Sequence, residues 1–87
     1  MKMIVLIVKD HDSEAVTQAL TAAEYRVTRV ASTGGFLRSG VATLLLGVED
    51  QRLEGAIELI RQKVGRAEAG EKRATLFVVP VERYEQV

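Results

Sequence analysis

Eighty-seven residues make one small domain over 1–87, and a chain of that size buries only roughly 60 to 65% of the surface it exposes when unfolded. Cysteine is absent, so no disulfide supplements the thin core, and twelve basic residues balance twelve acidic ones, which removes any whole-molecule steering toward nucleic acid. No signal-like segment and no apolar run of about 18 residues is present, and the expectation is a cytoplasmic protein with no membrane span.

Lys2 to Lys9 (KMIVLIVK) reads as a first strand, a nearly continuous β-branched and aliphatic run bounded by lysines. Such a run has no wet face. Asp10-His11-Asp12-Ser13 then offers N-caps, and Val16, Ala19, Leu20 and Ala23 recur three or four apart, predicting a helix from about 12 to 24 with Glu14, Thr17, Gln18 and Thr21 outward. A second strand, Arg26 to about Thr33, alternates Val27, Arg29 and Ala31 against Arg26, Thr28, Val30 and Ser32. Val41 to Val48 returns as a third strand, antiparallel to the second because the connection is short, and Gly47 near its end predicts a bulge or a close approach by another group.

Asp50 is placed to cap a second helix with a buried stripe of Leu53, Ala56, Ile57, Ile60 and Val64, and with Arg52, Glu58, Arg61 and Gln62 outward. Gly65 is a natural stop, Arg66 to Lys72 reads as a charged loop, and Arg73 to Val79 is the last strand, ended by Pro80. The order βαββαβ is an α+β ferredoxin-like layout: a four-stranded antiparallel sheet with both helices on one face. The first strand presents Met3, Val5 and Ile7 to one side and Ile4, Leu6 and Val8 to the other. The third offers Ala42, Leu44 and Leu46 opposite Leu45 and Val48, and the fourth Leu76 and Val78 opposite Phe77 and Val79. Two helices cover one face only, so the other is expected to pack on a sister subunit, in a number that periodicity does not give.

The segment Ser32 to Gly40 (STGGFLRSG) is the part of the chain that looks built to hold something. Its glycines free backbone N–H groups to converge on an anion, and Arg38, with Arg26 and Arg29 upstream, supplies opposing charge. Gly34-Gly35 equally serves an empty hairpin loop, and Arg38 equally serves solubility; Phe36 and Leu37 suit a planar ring in a cleft, or plug the end of the core. Arg26 and Thr28 share one face of a strand that runs directly into this segment, so one ligand could touch both.

Catalytic and metal chemistry find little support. The chain has one His, no Cys and no asparagine, and no glycine-serine elbow lies between strand and helix, so neither a serine-histidine mechanism nor the Arg-and-Asn water positioning of small phosphohydrolases with this layout is available. We therefore expect no catalytic residue, no cofactor and no enzyme. Asp10-His11-Asp12 lacks the partners for zinc, and Asp10, Asp12 and Glu14 lack the glycine and bidentate glutamate of a calcium loop; capping accounts for them better, and no metal is expected.

Taken together, Met1 to Val8, Asp10, Asp12-Ser13, Arg26-x-Thr28, Ser32 to Gly40, Thr43, Gly47-Val48, Arg52 and Ala74 to Val81 resemble the PII-like cyclic di-AMP receptor proteins of bacteria, within the nitrogen regulatory PII superfamily. The likeness covers nearly the whole chain outside residues 64 to 73, and the string TGGFLRSG is its most specific part. It implies a homotrimer of ferredoxin-like subunits with a ligand site in each cleft between neighbours. Adenine and phosphate would be held by Arg26, Thr28, Gly35, Phe36, Leu37 and Gly47, with Gly34 and Arg38 in the same segment: loop amides and basic side chains for phosphate, the apolar pair for the base.

The chain departs from that family in two places. Gly40-Val41-Ala42-Thr43 stands where the family reads Gly-Asn-Thr-Thr, removing an amide that bonds the base. The span Gly65 to Lys72 replaces a long closing loop, with Lys72-Arg73 where the family has Gly-Gly. Loss of one buried partner costs about 1 to 3 kcal/mol, about ten- to a hundredfold in affinity. The sequence thus predicts a small trimeric signal-transduction protein binding a nucleotide, cyclic di-AMP first, with an unidentified protein target downstream. The alternative is a trimeric protein-interaction or structural module that has lost nucleotide binding.

Overall fold

A computed structural model describes residues 1–30, 40–64 and 74–87. Strand β1 spans Lys2–Lys9 and runs without a loop into helix α1, Asp10–Ala22. Strands β2 (Arg26–Val30) and β3 (Val41–Val48) follow, then a short 3-10 turn at Asp50–Arg52, helix α2 (Leu53–Lys63) and strand β4 (Ala74–Pro80). All three strand pairings are antiparallel and the order across the sheet is β2-β3-β1-β4. This is the expected ferredoxin-like α+β arrangement, with the two longest apolar runs paired at its centre.

Alternation along β1 decides where the core lies. Ile4, Leu6 and Val8 are fully buried, and on β3 Ala42, Leu44, Leu46 and Val48 join them. Val16 and Leu20 of α1, with Ala56 and Ile60 of α2, close over these residues in one continuous cluster. Each fully buried Ile or Leu contributes about 1.5 to 3 kcal/mol, so this layer carries most of the fold's stability. Val48, expected opposite Leu46, shares its face, because side chains two residues apart in an unbroken strand point the same way. Leu53, Ile57 and Val64 are only partly buried at the margin of the helix layer.

The first helix starts two residues earlier than its apolar spacing suggested, and Asp10 to Ser13 do not cap it. Lys9 holds the N-cap position with no side-chain bond. The Asp10 N–H instead donates to the Gly40 carbonyl at 2.8 Å, satisfying a first-turn donor with neighbouring backbone. Ser13, fully buried, donates its hydroxyl back to the Asp10 carbonyl at 2.8 Å. Gly40 adopts φ +87°, which orients this re-entry into β3 and which a side chain would oppose. Asp50 likewise makes no side-chain cap; it opens the 3-10 turn, and α2 ends with Val64 in extended geometry. Gly65, Arg73 and residues 31–33 of the expected second strand lie outside the described residues.

The turn between α1 and β2 is locked by the last residue of the 3-10 turn. Arg52, expected to point idly outward, donates through Nη2 to the Ala23 carbonyl at 2.7 Å and through Nη1 to the Glu24 carbonyl at 3.5 Å. Its guanidinium lies 4.0 Å from the centre of the Tyr25 ring, whose hydroxyl donates to the Arg52 carbonyl at 3.0 Å. The cation thus sits at the negative end of α1 while two orphan carbonyls receive donors. Glu24 pays for this geometry with φ 67°, the left-handed region that glycine enters without a side-chain clash.

A mirrored pair of substitutions tests this backbone reading. Glu24→Gly is expected to stabilise the protein by about 0.5 to 1 kcal/mol, and Gly40→Ala to destabilise it by about 1 to 2 kcal/mol. Urea unfolding monitored by circular dichroism should show opposite shifts in midpoint with an unchanged slope.

Candidate functional site

The helix-free face of the sheet carries the residues that the sequence singled out. Register partners cross it in rows: Arg26, Gly47, Met3 and Val79 in one, Thr28, Leu45, Val5 and Phe77 in the next, then Val30, Thr43, Ile7 and Thr75. Because side chains alternate, these odd-numbered residues of β1, β3 and β4 and even-numbered ones of β2 share a single surface. No helix covers it. Phe77 is 55% exposed, Val30 and Val79 are also exposed, and Met3, Val5, Ile7 and Leu45 are half-buried.

Arg26 and Gly47 face each other directly, and Thr28 lies one row along, opposite Leu45. Arg26 and Thr28 are both exposed on this edge strand, and no hydrogen bond or ion pair among the described residues engages the Arg26 guanidinium. A planar cation free to pair, a hydroxyl two residues away and a bare glycine beside an apolar field form a surface suited to an anion joined to a flat apolar group.

Arg29 does not belong to this group. It points to the helix side, and its Nη2 lies 3.4 Å from Asp10 Oδ1 at the start of α1, so the paired use of Arg26 and Arg29 toward one anion is corrected. Parity separates them, since an odd spacing along a strand puts two residues on opposite faces. His11 and Asp12 contact one another, Nε2 to Oδ1 3.7 Å, and among the described residues no cluster of His, Asp or Glu is arranged to hold a metal ion. Gly34, Gly35, Phe36, Leu37 and Arg38 lie outside the described residues. Val30, the described end of β2, pairs with Thr43, whose Oγ1 is buried without a hydrogen-bond partner among the described residues.

Gly47 lies in an unbroken register, so the expected bulge is absent, and the close approach comes from the chain itself. A Cβ at Gly47 would stand 2.8 Å from Met1 Cε. Met1 drew no attention as a site residue; its signal was only that it lies two residues before Met3 and therefore shares its side of the sheet. Tyr25 and Arg52 were missed as a unit because they are far apart in sequence and neither stands in a periodic pattern.

The family model of the cyclic-di-AMP receptor matches residues 1–70, a span that includes Arg26, Thr28 and Gly47. The chain belongs to the cyclic-di-AMP receptor family. Among solved structures, a functionally unknown protein from Pediococcus pentosaceus is similar at 27% sequence identity and a TM-score of 0.77, covering 99% of this chain and 96% of that one. The match spans β4 as well, so the ferredoxin-like core of this cyclic-di-AMP receptor family member is shared from end to end. The family is one of binding and signalling proteins. No helix among the described residues is long and apolar enough to cross a membrane.

The environment of Gly47 yields a specific expectation. The atom nearest its missing Cβ is the far end of a flexible side chain, so Gly47→Ala should displace Met1 Cε and leave unfolding free energy within about 1 kcal/mol of the parent. Urea titration checks this, and a collapse of stability would mean that Gly47 serves packing alone.

Proposed function

We propose that the chain is a PII-like signal-transduction protein that binds a nucleotide, cyclic di-AMP first among candidates, at clefts between the subunits of a homotrimer. The family membership over residues 1–70 supports the ligand class. The observation that carries the site is the row in which Arg26 opposes Gly47, with Thr28 beside it, at the edge of an uncovered apolar face.

In this reading Arg26 pairs with a phosphate, the Thr28 hydroxyl bonds a second phosphate or sugar oxygen, and a base rests against the bare Cα of Gly47. Gly34, Gly35, Phe36, Leu37 and Arg38 complete the pocket from the neighbouring segment, amides and guanidinium toward phosphate and the apolar pair toward the base. The apolar field of Met3, Val5, Leu45, Phe77 and Val79 packs on sister chains, which brings a second subunit to the Arg26 edge. The protein acts by binding, with an unidentified protein as the reader of the bound state.

Calorimetry with cyclic di-AMP, with ATP and ADP as competitors, should give saturable uptake of about one ligand per chain, and light scattering about three chains per particle. Arg26→Ala should weaken uptake by about ten- to a hundredfold with particle mass unchanged, the scale of one hydrogen bond to a charged partner. Absence of heat with every adenine nucleotide would transfer preference to the interaction module, a reading that Val41 and the short span from Gly65 to Lys72 favour. A stable monomer would leave the apolar face unexplained and defeat the assembly.

A further inference from the structure

We propose that Arg52 is a positioning residue for the ligand site: by holding Tyr25 and closing the turn before it, Arg52 sets the course of the backbone from which Arg26 projects. The inference rests on the nucleotide reading above and extends it to a residue that acts through its neighbours.

Strand β2 has little hold of its own. It is a five-residue edge strand bonded to β3 alone among the described strands, and none of its residues is buried. Arg26, Thr28, Arg29 and Val30 are exposed and Val27 is half-buried. The Arg29 to Asp10 pair, at 3.4 Å, is itself exposed and adds little. Segments with so few buried contacts open at low cost. Tyr25, immediately before Arg26, is by contrast buried in the core cluster. The strand is pinned at its entry, so whatever fixes Tyr25 fixes the backbone of Arg26.

Arg52 ties three successive residues of that entry to itself. Its Nη2 donates to the Ala23 carbonyl at 2.7 Å, its Nη1 to the Glu24 carbonyl at 3.5 Å, and its guanidinium carbon lies 4.0 Å from the centre of the Tyr25 ring. The Tyr25 hydroxyl donates back to the Arg52 carbonyl at 3.0 Å. One planar fork serves two carbonyls and a ring face, which the compact ammonium of a lysine does not do at once. The turn needs such a restraint, because Glu24 stands at φ 67°, a conformation that a residue with a side chain keeps only while its surroundings enforce it. Released, the turn relaxes, and Arg26 is the second residue beyond Glu24 to feel it.

The effect on affinity follows from population. A ligand that binds one arrangement of the β2 entry has its apparent affinity reduced by the fraction of molecules in that arrangement. If loss of the grip leaves the binding arrangement in about one molecule in three to one in ten, affinity falls about three- to tenfold.

Four variants separate the grip from charge and from bulk stability. Arg52→Ala removes the grip, Arg52→Lys keeps the charge but not the fork, and Tyr25→Phe keeps the ring but not the hydroxyl. Val8→Ala weakens the core where β1 pairs Ala42 and Ala74, away from the turn. By calorimetry both Arg52 variants should bind cyclic di-AMP about three- to tenfold more weakly than the parent, with Tyr25→Phe between, at unchanged particle mass. Amide hydrogen exchange across Arg26 to Val30 should quicken in the same order, and Val8→Ala should hold affinity within about twofold of the parent's. If Arg52→Ala does not fold, Arg52→Lys carries the test. Parent uptake with Arg52→Lys affinity equal to the parent's, or with Val8→Ala weakening binding as much as the Arg52 variants do, overturns the positioning role and leaves the nucleotide reading standing. Absence of uptake by the parent chain overturns both.

Discussion

The structure depends on a sheet that is apolar on both sides while the helices among the described residues cover only one. Strand β1 sets this condition, because its interior from Met3 to Val8 contains no polar residue and it occupies a central place between β3 and β4. Ile4, Leu6 and Val8 go to the helices; Met3, Val5 and Ile7 are left over. In an isolated subunit those leftovers, with Phe77 and Val79, would contact water at a cost of about 25 cal/mol for each Å² of apolar surface. A small chain with no disulfides has little stability from which to meet such a cost, which is the ground for the proposed packing on sister chains.

The residues proposed to bind a ligand lie at the polar margin of that face. The edge strand β2 brings Arg26 and Thr28 into the same plane as the leftovers, and β3 brings Gly47 opposite Arg26. Everything here turns on parity: a slip of one residue in β2 would send Arg26 to the helix side and bring Val27 and Arg29 to the ligand side. What guards against the slip is hydrophobic phase, since Val27 packs against the helix-side core beside Leu46, and the Arg29 to Asp10 pair reinforces it from the same side. An exposed pair of this kind contributes little energy, up to about 1 kcal/mol, so the packing is the dominant guard.

Legibility in the sequence followed the strength of each local signal. β1 and β3 were readable to the residue because each is an eight-residue strand dominated by aliphatic residues, β1 with a lysine at each end and β3 between Gly40 and Glu49. That Arg26 and Thr28 share a face followed from alternation alone, whereas Gly47 entered the site only through the family resemblance and its place opposite Arg26 came from the register. The start of α1 was misjudged because Asp10, Asp12 and Ser13 look like caps, whereas the donor they would have served is satisfied by the Gly40 carbonyl, a contact from thirty residues along the chain. Such tertiary substitutes for a cap leave no local trace. The Arg52 and Tyr25 interlock and the Met1 contact with Gly47 escaped for the same reason: each joins residues whose own neighbourhoods are unremarked. The most specific string in the sequence, TGGFLRSG, lies outside the described residues apart from its last glycine, Gly40.

The interlock also explains how the site's first residue is held. Arg26 follows directly after Tyr25, so whatever fixes Tyr25 fixes where β2 begins. Tyr25 is gripped on its ring by the Arg52 guanidinium and at its hydroxyl by the Arg52 carbonyl, while the same guanidinium closes the end of α1. Gly55 lies beneath that hydroxyl, where an added Cβ would come within 3.0 Å of it, so the absence of a side chain on α2 leaves room for the grip. Loop ends in small proteins ordinarily fray at little cost. Here the chain leaves α1, turns through Glu24 and enters β2 under restraints from Arg52, about thirty residues further along the chain, and the first residue to emerge from the turn is Arg26, the register partner of Gly47. A strand edge would otherwise be the least settled part of the sheet; tied in this way, the backbone from which Arg26 projects is held in place, and in the proposed reading this lowers the ordering cost of binding.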